Sequence, residues 1–331
     1  MNERPQSRLS SPADQRGLTI VEIMVALAIS LLLLVGVVQI FTGSKQAYRT
    51  QDALSRLQES GRFAVSFLTR DIRMADFWGC IDNSNVTNNL ESGGAGYVDF
   101  ADGGVAGADG TGLNGSDTLT LRSAYDAGLV VQTPYMPTAS SALQVPNDND
   151  LAVGDVLIVS DCLGGDIFQR TGPVPDPGAL NHNTGAIAPP GNASNSLSKT
   201  YAGDATLYRA REVTYSIGAG ASGEPALFRT SGPGGAAEEL VEGVENMQVL
   251  YGEDTDGDRA ADYYVAAGSV VDMDNVVSIR VALLLRSPQD NIAQDPQTYS
   301  FPPFPGTGTT TAADNRLRQV YAATIGIRNR M

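Results

Sequence analysis

The chain has 331 residues, 37 of them Asp or Glu and 22 Lys or Arg, for a formal charge of −15, with one histidine and two cysteines. Contacts to phosphate need Lys and Arg, so this balance disfavours nonspecific nucleic-acid binding and no nucleic-acid partner is expected. A single histidine, His182, with no G-x-S-x-G elbow, P-loop or zinc spacing elsewhere, leaves little from which to build a catalytic centre, and the chain is read as a non-enzyme.

The first seventeen residues form a short leader with Arg4, Arg8 and Arg16 against Glu3 and Asp14. Gly17 is followed by Leu18-Thr19-Ile20-Val21-Glu22, and from Ile23 to Ser44 no charge occurs; Ser30, Gln39, Thr42 and Ser44 are the polar side chains. As a helix this stretch is roughly 33 Å long, enough to cross a hydrocarbon core of about 30 Å. A secretory signal peptide would have a shorter apolar core and an A-x-A-like cleavage site after it. Neither is present, so the span is expected to stay on the mature protein. Glu22 stands at the edge of the span, where a carboxylate is costly unless it finds a cation or reaches the headgroups. Cleavage after Gly17 would supply such a cation, the new amine on Leu18 of this chain or of a neighbour, about one helical turn away. Both readings of Glu22 stand at this point.

The string Arg16-Gly17 then LTIVEIMVALAI resembles the class III signal of type IV prepilins and type II secretion pseudopilins. The resemblance implies Gly17 before the scissile bond, Leu18 after it, and Glu22 as the fifth mature residue. It also implies a membrane-embedded prepilin peptidase that removes the leader and N-methylates the new amine, and pairing of Glu22 with the amine of an adjacent subunit. One departure is Gln39, where many major pilins carry a helix-bending proline.

Past the span, Leu54, Leu57, Gly61, Ala64, Val65, Leu68, Ile72 and Ala75 recur at spacings of three and four, one apolar stripe on an amphipathic helix. Arg49, Asp52, Arg56, Glu59, Arg62, Arg70 and Arg73 fall mostly on other faces. The helix is expected over 18–75, with 18–44 the transmembrane part and 45–75 the amphipathic part.

From 76 to 331, Gly and Pro separate short segments rich in Val, Ile, Leu, Thr and Tyr. They are Thr118–Arg122, Leu129–Thr133, Val156–Ser160, Thr206–Ile217, Ala226–Thr230, Asn246–Tyr251, Val276–Leu285 and Arg318–Arg328. Antiparallel strands joined by long loops are the natural reading. The expected fold is α+β and pilin-like: a long N-terminal helix packed on an antiparallel, sheet-rich head.

With the basic leader held on the cytoplasmic side, the head emerges in an oxidising compartment, and a disulfide between Cys80 and Cys162 is expected. The stretch Glu253-Asp254-Thr255-Asp256-Gly257-Asp258-Arg259-Ala260-Ala261-Asp262 places Asp254, Asp256, Asp258 and Asp262 at the spacing of a calcium loop. Arg259 stands where an EF-hand wants Gly, and Val265 where it wants a bidentate Glu, so the match is to a shorter aspartate-rich loop. The competing reading is a solvated acidic turn, since Asp-Gly is a common turn pair. Calcium is the one cofactor suggested.

Val241-Glu-Gly-Val-Glu-Asn-Met-Gln-Val-Leu-Tyr251-Gly252, with Asn275-VVSIRVALLLRS and the closing RLRQVYAATIGIRNR, is similar to PilW-type minor pilins. That resemblance implies a minor pilin of the inner membrane, its head periplasmic until it joins the pilus, in a complex that initiates or caps the fibre. The implied partners are prepilin peptidase, other minor pilins, the major pilin and a tip-associated PilY-type adhesin. A minor pseudopilin of a type II secretion system is one alternative. A tip adhesin using the loops between Asn83 and Gly115 or Gly172 and Asn195 is another.

Overall fold

The computed structural model describes residues 17, 19–172, 177–184, 189–304 and 307–331; the rest of the leader and Leu18 of the expected cleavage pair lie outside them. The chain divides into two compact units, Met1–Asp52 and Ala53–Met331. One helix, α1, runs over Ile20–Met74 and contributes to both.

In the first unit α1 is apolar on every side from Ile23 to about Thr42, with Leu32 and Ile40 as exposed as Val21 and Phe41. A helix of this kind suits a membrane rather than a protein core, and it is long and apolar enough to span one.

In the second unit α1 becomes one-sided. Ala53, Leu57, Gly61, Ala64, Leu68, Asp71 and Ile72 are buried. The expected stripe is corrected in two places. Leu54 is 39% exposed and Ala53 takes its place, and Asp71, a charged residue, lies on the buried side.

Among the described residues, seven strands occupy the first half of this unit: β1 (Val86–Asn88), β2 (Val105–Ala108), β3 (Thr118–Val130), β4 (Leu143–Gln144), β5 (Val156–Ser160), β6 (Gly165–Gln169) and β7 (Ala179–Leu180). The second half adds β8 (Thr206–Ala219), β9 (Pro225–Ser231), β10 (Ala237–Glu242), β11 (Val244–Glu253), β12 (Tyr263–Val265), β13 (Val276–Arg286), β14 (Thr298–Ser300), β15 (Thr309–Thr311) and β16 (Arg318–Gly326). The expected segment 118–122 and the first two residues of 129–133 prove to be one strand, β3, which ends at Val130 and has an irregularity in its pairing to β8 between Tyr125 and Leu129.

The larger sheet has the order β1-β6-β5-β8-β3-β2, with β9 also on β8 and β10 on β9. The smaller has the order β12-β11-β13-β16. Pairing is antiparallel throughout the two sheets among the described residues except between β1 and β6, which run parallel. Strand β8 is long enough to pair with β5 through its first residues and with β9 through its last, lying against β3 from Thr206 to Tyr215.

Both sheets close on the same helix face. Leu57, Ala64, Leu68 and Ile72 share one cluster with Leu119, Leu121, Val213 and Ile217 of the larger sheet and with Met247, Val249, Ile279, Val281 and Leu283 of the smaller. Two further clusters lie within the larger sheet and its loops, one around Phe168, Leu180 and Leu207, the other around Trp78, Phe100 and Ile158.

The helix meets β16 closely at Gly61. A Cβ there would sit 2.3 Å from the Tyr321 ring, whose hydroxyl donates to the Leu57 carbonyl at 3.2 Å. That hydrogen bond ties the ring down, so it cannot easily swing aside.

The exit from the helix is pinned by residues far along the chain. Asn329 donates to the Ala75 carbonyl at 2.9 Å, and Arg330 Nε donates to Asp76 Oδ2 at 2.6 Å. The other Asp76 oxygen accepts the indole N–H of buried Trp78 at 2.8 Å. Four residues beyond Asp76, Cys80 is joined to Cys162 in the β5–β6 turn, 82 residues away. In the chain-entropy view a closure of that length limits the unfolded chain by up to about 4.5 kcal/mol.

Gly61→Ala is expected to destabilise the protein by about 1–3 kcal/mol, the usual cost of forcing a methyl into a filled site. Urea unfolding of the full chain in detergent micelles would read this as a lower midpoint. An unchanged midpoint would mean that α1 and β16 can part without cost.

Candidate functional site

The expected processing and assembly residues lie at the start of α1. Gly17 is exposed, and among the described residues nothing lies within 4 Å of the position a Cβ would take. Two residues on, Thr19 caps the helix. Its side-chain oxygen accepts the Glu22 backbone N–H at 3.2 Å, and Glu22 Oε2 accepts both the Thr19 N–H and the Thr19 hydroxyl at 3.0 Å. This reciprocal arrangement is a capping box, in which two of the helix's otherwise unpaired N–H groups are satisfied. Its sequence signature, Thr-x-x-Glu before an apolar run, is visible at 19–22, yet the membrane argument alone passes over Thr19. Glu22 therefore has a third role beside the two expected from sequence: it organises the helix end on which any incoming amine would have to act.

Of the four aspartates expected to surround a cation, the structure brings three together. One carboxylate oxygen from each of Asp254, Asp256 and Asp262 lies within 4.8 Å of the others. Asp258 is not among them; its Oδ1 accepts the Ala260 N–H at 2.8 Å. Three hard oxygens at this spacing could hold calcium, with the remaining positions open to backbone oxygens or water.

The same carboxylates also close the loop on their own. Asp254 accepts the N–H groups of Gly257 at 2.7 Å and Arg259 at 2.8 Å. Asp262 accepts the Thr255 N–H at 2.8 Å and its hydroxyl at 2.6 Å, and Asp256 accepts the Asp258 N–H at 3.1 Å. Desolvation pushes the Asp254 carboxyl up, but backbone N–H donors led by Arg259 and Gly257 outweigh it and hold it below its ordinary value. The Thr255 hydroxyl, then its N–H, does the same for Asp262. Mutual repulsion among the aspartates is thus offset by donors from the loop, and an ion is not required to explain their crowding.

Beneath the loop lies Glu253, 1% exposed, which sequence reasoning counted only as one more acid. Its Oε1 accepts the N–H groups of Val271 and Asp272 at 3.0 and 2.9 Å, and its Oε2 the Tyr263 hydroxyl at 2.9 Å. Burial raises this carboxyl, and those donors, Asp272 first, more than reverse the effect. Glu253 so joins β11, β12 and the 266–275 segment into one base for the acidic turn.

The expected disulfide is formed, and Cys80 and Cys162 account for both cysteines. His182 is buried, its Nε2 3.0 Å from the Ser141 carbonyl and its ring edge-on to Phe168. Burial lowers its pKa, which keeps it a neutral packing residue.

Residues 214–329 match the family model for type IV pilus-assembly protein W, and residues 12–38 match the prokaryotic N-terminal methylation motif. The first match takes in the whole of the smaller sheet and the acidic turn; the second takes in Gly17, Thr19 and Glu22. No curated protein and no solved structure matches the chain.

Since the native Glu253 carboxyl is depressed, its contribution is complete above its unfolded pKa, about 4, and is lost as pH falls below that. Glu253→Gln is expected to lower the urea midpoint at pH 7, with the gap to the unchanged protein narrowing by pH 3.5; a constant gap would contradict the assignment. If calcium occupies the turn through its three converging aspartates, titration of the full chain at millimolar calcium gives heat that Asp256→Asn abolishes and Asp258→Asn preserves. Equal loss in both variants would overturn that ligand set.

Proposed function

We propose that this PilW-like type IV pilin is a minor subunit of the pilus, built into the complex that initiates or caps the fibre. Prepilin peptidase cuts between Gly17 and Leu18 and methylates the new amine. Before assembly the span lies in the inner membrane and the strand-rich unit in the periplasm; afterwards the subunit is on the pilus, beside other minor pilins, the major pilin and a PilY-type adhesin.

The observation that carries this reading is the presence on one chain of a prepilin junction at 16–22 and a PilW match at 214–329. The junction and uncharged span suit a processed, membrane-anchored pilin, and the PilW match favours a pilus over a secretion complex. The span has no cation to offer Glu22, and a charge in lipid is stabilised by an opposite one. In the assembled state the methylated amine of a neighbouring subunit supplies it, and the carboxylate then divides its oxygens between that amine and the Thr19 cap.

Gly17→Val is expected to leave an uncleaved precursor, seen as an unshifted band and as the intact leader by mass spectrometry. Glu22→Gln separates the two roles of the carboxylate, because an amide can complete a capping box but carries no charge. Piliation in Glu22→Gln cells is expected to fall as far as in Glu22→Ala cells, with cleavage intact. Normal pilus numbers with Gln would show that Glu22 serves the helix end and not subunit docking.

A further inference from the structure

In an acidic chain most arginines of the strand-rich unit are taken up by carboxylates. Arg122 meets Glu212, Arg209 meets Asp126, Asp150 and Asp155, and Arg330 meets Asp76. Arg286, Arg316 and Arg318 share Glu224, Glu245 and Asp314. The outer face of α1 is different. Arg62, Arg70 and Arg73 are exposed there and have no ion pair among the described residues.

Arg70 also borders a cleft of about 670 Å³, lined further by Met74, Phe77, Tyr125, Tyr208 and Arg211. The cleft is aromatic and cationic together. Phe77 and Tyr208 meet edge to face, with ring centroids 5.6 Å apart. Arg211 lies over the Tyr125 ring, 5.1 Å from its centroid, with Nη2 3.1 Å from Asp71 and a buried Nε that has no partner. Its guanidinium is therefore fixed in place but only partly answered from within the chain. Asp71 also accepts the Tyr215 hydroxyl at 2.7 Å, and the one acid on the cleft wall, Asp126, is held by Arg209 at 2.9 Å. The cleft keeps an uncompensated positive charge on its rim beside a large apolar wall.

We propose that this cleft binds an acidic peptide segment of a partner protein: a Glu or Asp carboxylate against Arg70, with the adjacent aromatic or aliphatic side chain lodged between Met74, Tyr125 and Tyr208. Charge complementarity selects the acid, since Arg70 is exposed beside the apolar wall and has no ion pair among the described residues. The apolar wall selects the neighbouring side chain, and its scarcity of free polar groups disfavours a sugar, whose hydroxyls need many. The inference concerns this cleft alone and holds whether or not the subunit sits at a pilus tip.

The test uses the full chain without its leader, in detergent micelles, with empty micelles as the blank. The probe is a capped hexapeptide of alternating Glu and Phe carrying an uncharged dye, read by fluorescence anisotropy. Arg70→Ala is expected to weaken binding about tenfold, the scale of one charge-assisted hydrogen bond, and Arg70→Lys less. Arg62→Ala removes the same charge from the same helix outside the cleft and is expected to leave affinity nearly unchanged. The exposed, unpaired Arg70 can be replaced by Ala without disturbing the helix, and an unaltered urea midpoint verifies this. Equal binding of a Gln/Phe peptide, or equal effects of Arg62→Ala and Arg70→Ala, would overturn the proposal. So would stronger competition by sialyllactose than by unlabelled Glu/Phe peptide, or self-association of the chain abolished by Arg70→Ala, which would assign the cleft to a second copy.

Discussion

The strand-rich unit depends on one stripe of a helix being shared by two sheets. Leu57, Ala64, Leu68 and Ile72 are each nearly or fully removed from solvent, and no single sheet accounts for that burial. At roughly 25 cal/mol for each Å² of apolar surface withdrawn from water, several large side chains along five turns give the main gain that orders both sheets. Small residues set how near the helix can come: Gly61 and Ala64 permit the contact, and Tyr321 fills the space that a larger residue at 61 would claim. The helix's two halves therefore answer to different solvents. Residues up to Ser44 carry apolar side chains on every face, whereas those from 53 onward bury them on one face only.

A second layer of order comes from buried acids that accept several N–H or O–H groups each. Asp71 joins α1 to β8 through Arg211 and Tyr215, and Glu253 gathers the base of the acidic turn. Asp117, 5% exposed, accepts the Gly110 and Val249 N–H groups and so links the β2–β3 hairpin to β11, joining the two sheets. Such groups are costly to bury and more costly to leave unpaired, so each fixes a register that apolar contact alone would leave loose. The excess of acids over bases in the chain is thus partly structural rather than a surface coat.

The junction, the span and most of the long strands were legible in the sequence because each is a local pattern: a motif, an uncharged run, or a β-rich segment between turn residues. Other features were not, since their signal is tertiary. Strand β6, Gly165–Gln169, is buried along its whole length although it contains Asp and Gln. Asp166 is tolerated there because Ser198 and Tyr201, more than thirty positions on, donate to its carboxylate. Strand β10 begins with Ala-Glu-Glu, and its charges hide a segment that adds to the edge of β9. Leu54 and Ala53 exchanged places in the stripe because spacings of three and four fit either register near its end, and only the facing strands decide. In the acidic turn, spacing alone could not say that Asp258 would cap Ala260 and leave three aspartates converging.

Asn329 and Arg330 hold Ala75 and Asp76 across 254 positions of sequence. Until those late residues have been synthesised, the Ala75 carbonyl lacks its Asn329 donor and Asp76 lacks Arg330, and the end of the helix is left ajar. Closure at such long range is slow compared with local pairing. A chain made in order from its first residue must therefore keep its early apolar stripe shielded while it waits. Completion of the last residues and closure of the first helix are thereby coupled in time, and an abbreviated translation product would advertise itself through an unlatched, greasy helix stem to the proteases and holdases it meets.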